Sequence, residues 1–443
     1  MNGAGSLARR LGVAAVVLLA LAACTSEDAA EPEPEPTPAE DPTEEPAEPE
    51  PDPEAEELAE TIAEITEQVG DLRELEVLEE VATEVVEPDE LAAIVTERDR
   101  DAEAIERLAA SSQVLAALRH VPVDADLERI IDDLQSASVV GLYDPADGLA
   151  YVSGEQLPLS PGAATTAAHE VLHALQDQHF DLSRLDDIPL EDGDAALAFL
   201  SLVEGDAVIL EEEWAATHQD EEERRAAEQE QLDGAADQLA VLDEVPSYVV
   251  ESFVFPYVAG ERFVASLIED DGYAAVDAAL DDPPTTTLEI LDPEAYLEGV
   301  EVADVEPGAP PADGEEVFAS SFGAFDLLAL FGAAETPEAQ AGSATWPSWR
   351  GGALHAWEVD ETLVVAAAWR FAEDDPAATA CEAVAAWYRD VATLDEEADD
   401  GADGGATVLE AERDAIAIRC DGRDVRFALS EDAELAETVT AVE

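Results

Sequence analysis

His169-Glu170-Val171-Leu172-His173 sets two imidazoles four residues apart with a carboxylate beside the first. On a helix, residues i and i+4 share a face, so both rings can present a nitrogen to one cation. Glu170 is then placed to take a proton from water that a divalent metal has made acidic. The chain has only six histidines, so a chance occurrence of the pattern is rare. The bland alternative is two helix histidines packed or solvated without a metal.

A catalytic zinc takes three protein ligands and keeps one position open for water. Two residues compete for the third place. His179 lies ten residues after His169, the spacing of the metzincin pattern H-E-x-x-H-x-x-G-x-x-H. That pattern needs a helix-breaking glycine, and Gln176 occupies the position. A straight helix carries His179 about 15 Å along the axis from His169. The methionine turn of that group is also missing, because Met1 is the only methionine. Glu204 is the better candidate. It sits inside Ala198-Phe199-Leu200-Ser201-Leu202-Val203-Glu204-Gly205-Asp206-Ala207, where a carboxylate is costly unless something compensates it. Gly205 weakens the helix and points to close approach of another element. The alternative is a Glu on the exposed side of an amphipathic helix.

Ligating histidines donate their second N–H to a carboxylate or carbonyl. Asp177 and Asp206 are candidates for that support, each with an ordinary structural role as the alternative. A donor for a tetrahedral oxyanion is also required. Tyr257 is assigned to it, with Tyr248, Tyr296 and His355 as rivals.

These side chains need elements to hold them. Ser160 as N-cap and Pro161 at the first helical position predict a helix to about residue 178. A second long helix is predicted over 194–218. Strands are expected over 138–143 and 149–152 around the turn Asp144-Pro145-Ala146-Asp147-Gly148. The second strand is read as an edge able to pair with an extended peptide. Leu58, Ile62, Ile65 and Val69 fall three or four apart, so 57–135 reads as a helical lead-in. Further helices are expected over 219–245, 251–269 and 273–280. Residues 301–316 read as a Pro/Gly/Asp-rich linker. Beyond it come a helix over 320–332, strands near 353–358 and 361–371, a helix over 376–391, and strands near 406–411, 414–420 and 424–429. The fold class expected is α+β: a mainly helical domain with a small sheet over 136–300, and an α+β subdomain over 317–430.

The run His169-Glu170-Val171-Leu172-His173-Ala174-Leu175-Gln176-Asp177-Gln178-His179-Phe180-Asp181-Leu182 resembles a group of bacterial and archaeal gluzincin-like proteins. Those proteins carry H-E-x-x-H-A-L-Q-D-Q-H-F-D-L. Leu202-Val203-Glu204-Gly205-Asp206-Ala207 is similar to their second motif. Phe255-Pro256-Tyr257 with Gly260, and Pro283-Pro284-Thr285-Thr286-Thr287, resemble further shared segments. The resemblance spans about 140–300. Such proteins commonly follow the last segment with His-Pro, and Leu291-Asp292-Pro293 lacks that histidine. The resemblance implies a zincin-like fold and metallopeptidase chemistry with Zn2+ on His169, His173 and Glu204. It does not supply a substrate.

Composition narrows the setting. The 443 residues carry 108 acidic and 19 basic side chains, a formal net charge of -89. Every fixed basic side chain is an arginine. So much like charge repels itself in dilute buffer and needs counter-ions. Adaptation to high salt is one reading and an acidic, GC-biased proteome the other. No basic stripe exists to displace counter-ions, which excludes nucleic acid as a partner. Residues 1–23, with Arg9-Arg10 and the apolar run Leu11–Ala23, read as a signal peptide ending in Leu21-Ala22-Ala23-Cys24. That ending resembles a bacterial lipoprotein signal, implying lipidation of Cys24 and retention at the outer face of the membrane. An ordinary signal peptide is the alternative. The paired arginines also admit twin-arginine export, though no full motif surrounds them. Residues 24–56 alternate Glu, Pro, Ala and Asp and read as a stiff spacer. Cys381 and Cys420 then remain as an even pair in a compartment that permits disulfides, with two buried free thiols as the alternative.

The reading is an exported, membrane-anchored zinc hydrolase acting on a peptide or protein, with Glu170 as general base. The alternative is a non-catalytic lipoprotein that binds peptide or envelope components around a degenerate or structural metal site. Oligomeric state is not encoded in any pattern found.

Overall fold

The computed structural model describes residues 53–96, 102–154, 158–242, 245–392 and 406–441. The stretch read as a signal peptide, Cys24 and most of the stretch read as a spacer lie outside them. The elements in chain order are α1 (Pro53–Arg73), β1 (Ala82–Val86), α2 (Pro88–Thr96), α3 (Ala102–Ala117), α4 (Leu127–Ser138), β2 (Gly141–Asp144), β3 (Leu149–Ser153), α5 (Pro161–Phe180), α6 (Gly193–His218), α7 (Glu221–Leu242), α8 (Ser247–Asp271), α9 (Tyr273–Asp281), α10 (Thr287–Leu291) and α11 (Pro293–Glu298). The C-terminal part adds β4 (Glu315–Ser321), α12 (Ala324–Gly332), α13 (Pro337–Gln340), β5 (Trp349–Val359), β6 (Thr362–Phe371), α14 (Asp374–Val391), β7 (Thr407–Glu410), β8 (Ala415–Asp421), β9 (Asp424–Ser430) and α15 (Ala433–Thr440). The fold is α+β and mainly helical. Among the described residues no helix is long and apolar enough to cross a membrane.

Helix α5 starts as its sequence directs. The Ser160 hydroxyl accepts from the Ala163 amide, and Pro161 follows at the first helical position. It ends at Asp181, whose φ of 59° is left-handed. Its neighbour α6 is buried on nearly every side from Asp194 to Leu210, as a helix apolar all round must be. Helix α8 crosses α6 backbone to backbone. A Cβ on Gly205 would overlap the carbonyl of Gly260, and one on Gly260 would overlap the carbonyl of Ser201. Only glycine at both positions permits that approach.

The small sheet has the order β1-β3-β2, with β1 parallel and β2 antiparallel to β3. Two expectations change here. The lead-in is not wholly helical, because β1 joins this sheet. Its arrival puts β3 in the centre, so the strand read as an edge is not one. The edges are β1 and β2. Helix α1 also begins at Pro53, within the stretch assigned to the spacer. Ile62, Ile65 and Val69 of α1 share one core with Val171, Leu175 and Leu210.

The large sheet has the order β4-β5-β6-β9-β8-β7 and is antiparallel throughout. Both faces of β6 are covered. Val365, Ala367, Trp369 and Phe371 point into the core under α12 and α14. Val364 and Ala366 point to the other side, against Ala436 and Val439 of α15. That is why its sequence is a continuous apolar run. Strand β4 occupies residues read as linker and as the start of a helix, and α12 begins only at Ala324. Cys381 and Cys420 are disulfide-bonded, tying α14 to β8. Val114 and Leu118 reach into the core of this sheet, and Arg119 pairs with Asp414 at 2.6 Å.

Between the helices and the large sheet lies a buried carboxyl. Asp194 accepts a hydrogen bond from the Thr287 hydroxyl, and a Cβ on Gly323 would collide with it. Burial pushes the Asp194 carboxyl from an ordinary 3.8 up to about 8. The folded chain therefore holds a proton here that the unfolded chain has lost, and stability falls as pH rises from about 4 through about 8. Denaturant midpoints across that window should decline more steeply for wild type than for Asp194→Asn. Parallel curves would rule out this linkage. At the helix crossing, Gly205→Ala should cost about 1–3 kcal/mol. Gly332→Ala, where an added Cβ meets nothing within 4 Å, should be neutral to about 0.5 kcal/mol. Equal losses would show that α6 and α8 are not in tight contact.

Candidate metal centre

His169 and His173 stand one turn apart on α5, their ring centroids 4.7 Å apart and the planes nearly perpendicular. Glu204 reaches them from α6. Its Oε2 lies 3.3 Å from His169 Nε2 and 3.7 Å from His173 Nε2. All three residues are buried, and one ligand atom from each lies within 4.8 Å of the others. Both Nε2 atoms therefore converge on one carboxylate oxygen, although the ligands come from two separate helices.

The opposite side of each ring is held. His169 Nδ1 lies 3.0 Å from Glu211 Oε2. Glu211 follows Glu204 by seven residues, two turns along the same face of α6. His173 Nδ1 lies 2.9 Å from Gln176 Oε1. The Gln176 amide nitrogen donates to Asp206 Oδ2 and to the Val203 carbonyl. Its oxygen must then face His173 as an acceptor, and His173 Nδ1 must carry the proton. Asp206 is in turn gripped by Arg73 Nε at 2.9 Å from each carboxylate oxygen. The Arg73 guanidinium also pairs with Asp277 at 2.7 Å. These contacts turn Nε2 of both histidines toward Glu204, the orientation that metal-ligating imidazoles require.

Charge in this pocket is strongly perturbed. Burial drives the Glu204 carboxyl upward, but His173 and His169 outweigh it and bring it down to about 2. Burial opposes a charged His169, yet Glu204 and Glu211 hold its imidazole well above the ordinary range. Burial raises Glu211. Burial also lifts Glu170 to about 7, with His169 and His173 pulling the other way. Several atoms are left without partners: His173 Nε2, Glu204 Oε1 and Glu170 Oε2 are buried and unpaired. Two imidazole nitrogens and a carboxylate converging on one point, with orphaned buried atoms beside them, could hold a metal ion.

Glu170 itself lies against β2. A Cβ on Gly141 would overlap Glu170 Oε1, so the absence of a side chain there makes room for the carboxylate. Among the described residues β2 pairs only with β3, and Gly141, Leu142 and Tyr143 are buried.

The remaining sequence candidates are placed elsewhere. His179 meets the Glu76 carbonyl at 2.7 Å and is outside the cluster. Asp177 accepts from Tyr143 and from the Leu182 amide, bracing the end of α5 rather than a histidine. Asp206 does support His173, but through Gln176. Tyr257 packs with Val208, Val249 and Phe253. Tyr248 donates to Asp326, Tyr296 to the Asp282 carbonyl, and His355 pairs with Glu316 in the large sheet. Sequence reasoning missed Glu211, Gln176 and Arg73. The seven-residue step from Glu204 was a usable signal for Glu211, but it was hidden in the run Glu211-Glu212-Glu213. Gln176 was visible only as a position lacking glycine.

Comparison with protein-family models, with characterised proteins and with solved structures returned no match. What the cluster does has to be read from its own geometry. Zinc titrated against a competing chelator should bind wild type one to one and fail to bind Glu204→Ala. Gln176→Leu and Glu211→Gln should each weaken it about 10–100-fold. Unchanged affinity in both supporting variants would show that the rings need no such bracing.

Proposed function

We propose that this chain is a zinc-dependent hydrolase, a peptidase, with the metal on His169, His173 and Glu204 and Glu170 as general base. The observation that carries the reading is the position of Glu170. Its carboxylate is buried next to the ligand cluster with Oε2 unpaired. A purely structural site has no use for a carboxylate kept in that state.

A bound zinc supplies Lewis acidity to a water and to a substrate carbonyl. The chain's own groups do the rest. Glu170 takes the proton that the attacking water loses and passes it to the leaving amine. Glu211 and Gln176 keep the imidazoles from rotating. Gly141 leaves room for the Glu170 carboxylate against β2. Resemblance to gluzincin-like proteins supports the same reading and the zincin-like fold. The proposal places the enzyme at the outer face of the cytoplasmic membrane, held by a lipid on Cys24 and lifted off it by the Glu/Pro spacer.

Glu170→Gln should retain zinc and lose about 10²–10⁴-fold in turnover of an unstructured protein substrate, assayed in high salt. Chelation should abolish wild-type activity and added zinc restore it. A Glu170→Gln enzyme as fast as wild type would sink the mechanism.

A further inference from the structure

A cavity of about 280 Å³ lies between α3, α6, α8 and β4, near the lower end of small-molecule sites at about 300 Å³. Its walls are mainly apolar, with Leu115, Leu197, Leu200 and Phe253 among them. Asp194 lines it and is only 4% exposed. Asp194 Oδ1 is engaged by Thr287, while Oδ2 is buried with no partner. Asp326 and Tyr248 also line the cavity, but they satisfy each other, and Asp326 takes the Gly323 amide as well. The Arg107 guanidinium is directed at the carbonyls of Leu190 and Ala319. Tyr248 and Arg107 are thus engaged, and Asp194 Oδ2 remains without a partner. Burial keeps this carboxyl protonated until the pH passes about 8, and a cation seated beside it would stabilise the ionised form.

We propose that this cavity binds an organic ammonium ion bearing an unbranched apolar chain, its nitrogen seated on Asp194 and its chain along Leu115, Leu197 and Leu200. The site is set apart from the metal ligands. Asp194 precedes Glu204 by ten residues of α6, about 15 Å along the axis. It goes beyond the hydrolase reading and does not depend on it.

The test is calorimetric titration of the purified chain at about pH 9, where Asp194 is ionised and an alkylammonium keeps its proton, in 1 M NaCl, which screens surface attraction of amines to so acidic a protein. The probes are n-hexylammonium, methylammonium and 1-hexanol. Hexylammonium should bind one to one and at least about tenfold tighter than either control, because a charged hydrogen bond and the buried chain act together. Asp194→Asn should bring hexylammonium to the level of hexanol. Leu115→Trp, which fills the apolar end and leaves Asp194 in place, should weaken hexylammonium by about tenfold. Hexanol binding as tightly as hexylammonium overturns the proposal, as does undiminished hexylammonium binding in Asp194→Asn. If Asp194→Asn does not fold, unchanged affinity in Leu115→Trp overturns it alone.

Discussion

His169, His173, Glu170, Glu204 and Glu211 share one almost dry space where α5 crosses α6. Each would be unfavourable there by itself, since removing a charge from water costs several kcal/mol after relaxation. They are compatible only as a set. Each imidazole faces a carboxylate or amide on one side and Glu204 on the other. Both imidazoles share the one carboxylate held ionised, Glu204, while burial raises Glu170 and Glu211. The same arrangement that strains an apolar core would suit a metal centre.

That constraint explains why the support extends so far. Gln176 can orient His173 only if its own amide is fixed, and Asp206 fixes it. Asp206 is buried inside α6 and needs a counter-charge, which Arg73 brings from α1. The first helix is therefore part of the site's scaffold, more than fifty residues before its first ligand. The crossing of α6 with α8 adds rigidity from the opposite side. With glycines at the contact, the two backbones approach too closely for either helix to slide without collision. The large sheet packs further out, joined to the helices through Val114, Leu118 and the Arg119–Asp414 pair.

The scarcity of arginine sharpens this picture. With 19 basic residues in the chain, Arg73 is spent on a fully buried pair, and Arg119 on the junction with the large sheet. Little fixed positive charge is left to balance the acidic exterior, so solution counter-ions must do so. Stability of the whole should depend on ionic strength far more than that of the buried centre, where screening does not reach.

Local order was legible in the residues. The cap Ser160-Pro161 defined the start of α5. The i, i+4 step of His169 and His173 defined a shared face, and the cost of a carboxylate in an apolar stretch singled out Glu204. These are properties of one helix at a time, and periodicity reports them. Helical phase also hinted that Gly205 marks a contact, but not that Gly260 is its partner. Which carboxylate meets which ring was decided in space. Glu211, Gln176 and Arg73 take their roles from the angle and offset at which helices cross, and no spacing along the chain contains that information. The same holds for β1, whose few residues are recognisable as a strand only beside β3, and for β3, whose central place depends on a segment sixty residues upstream.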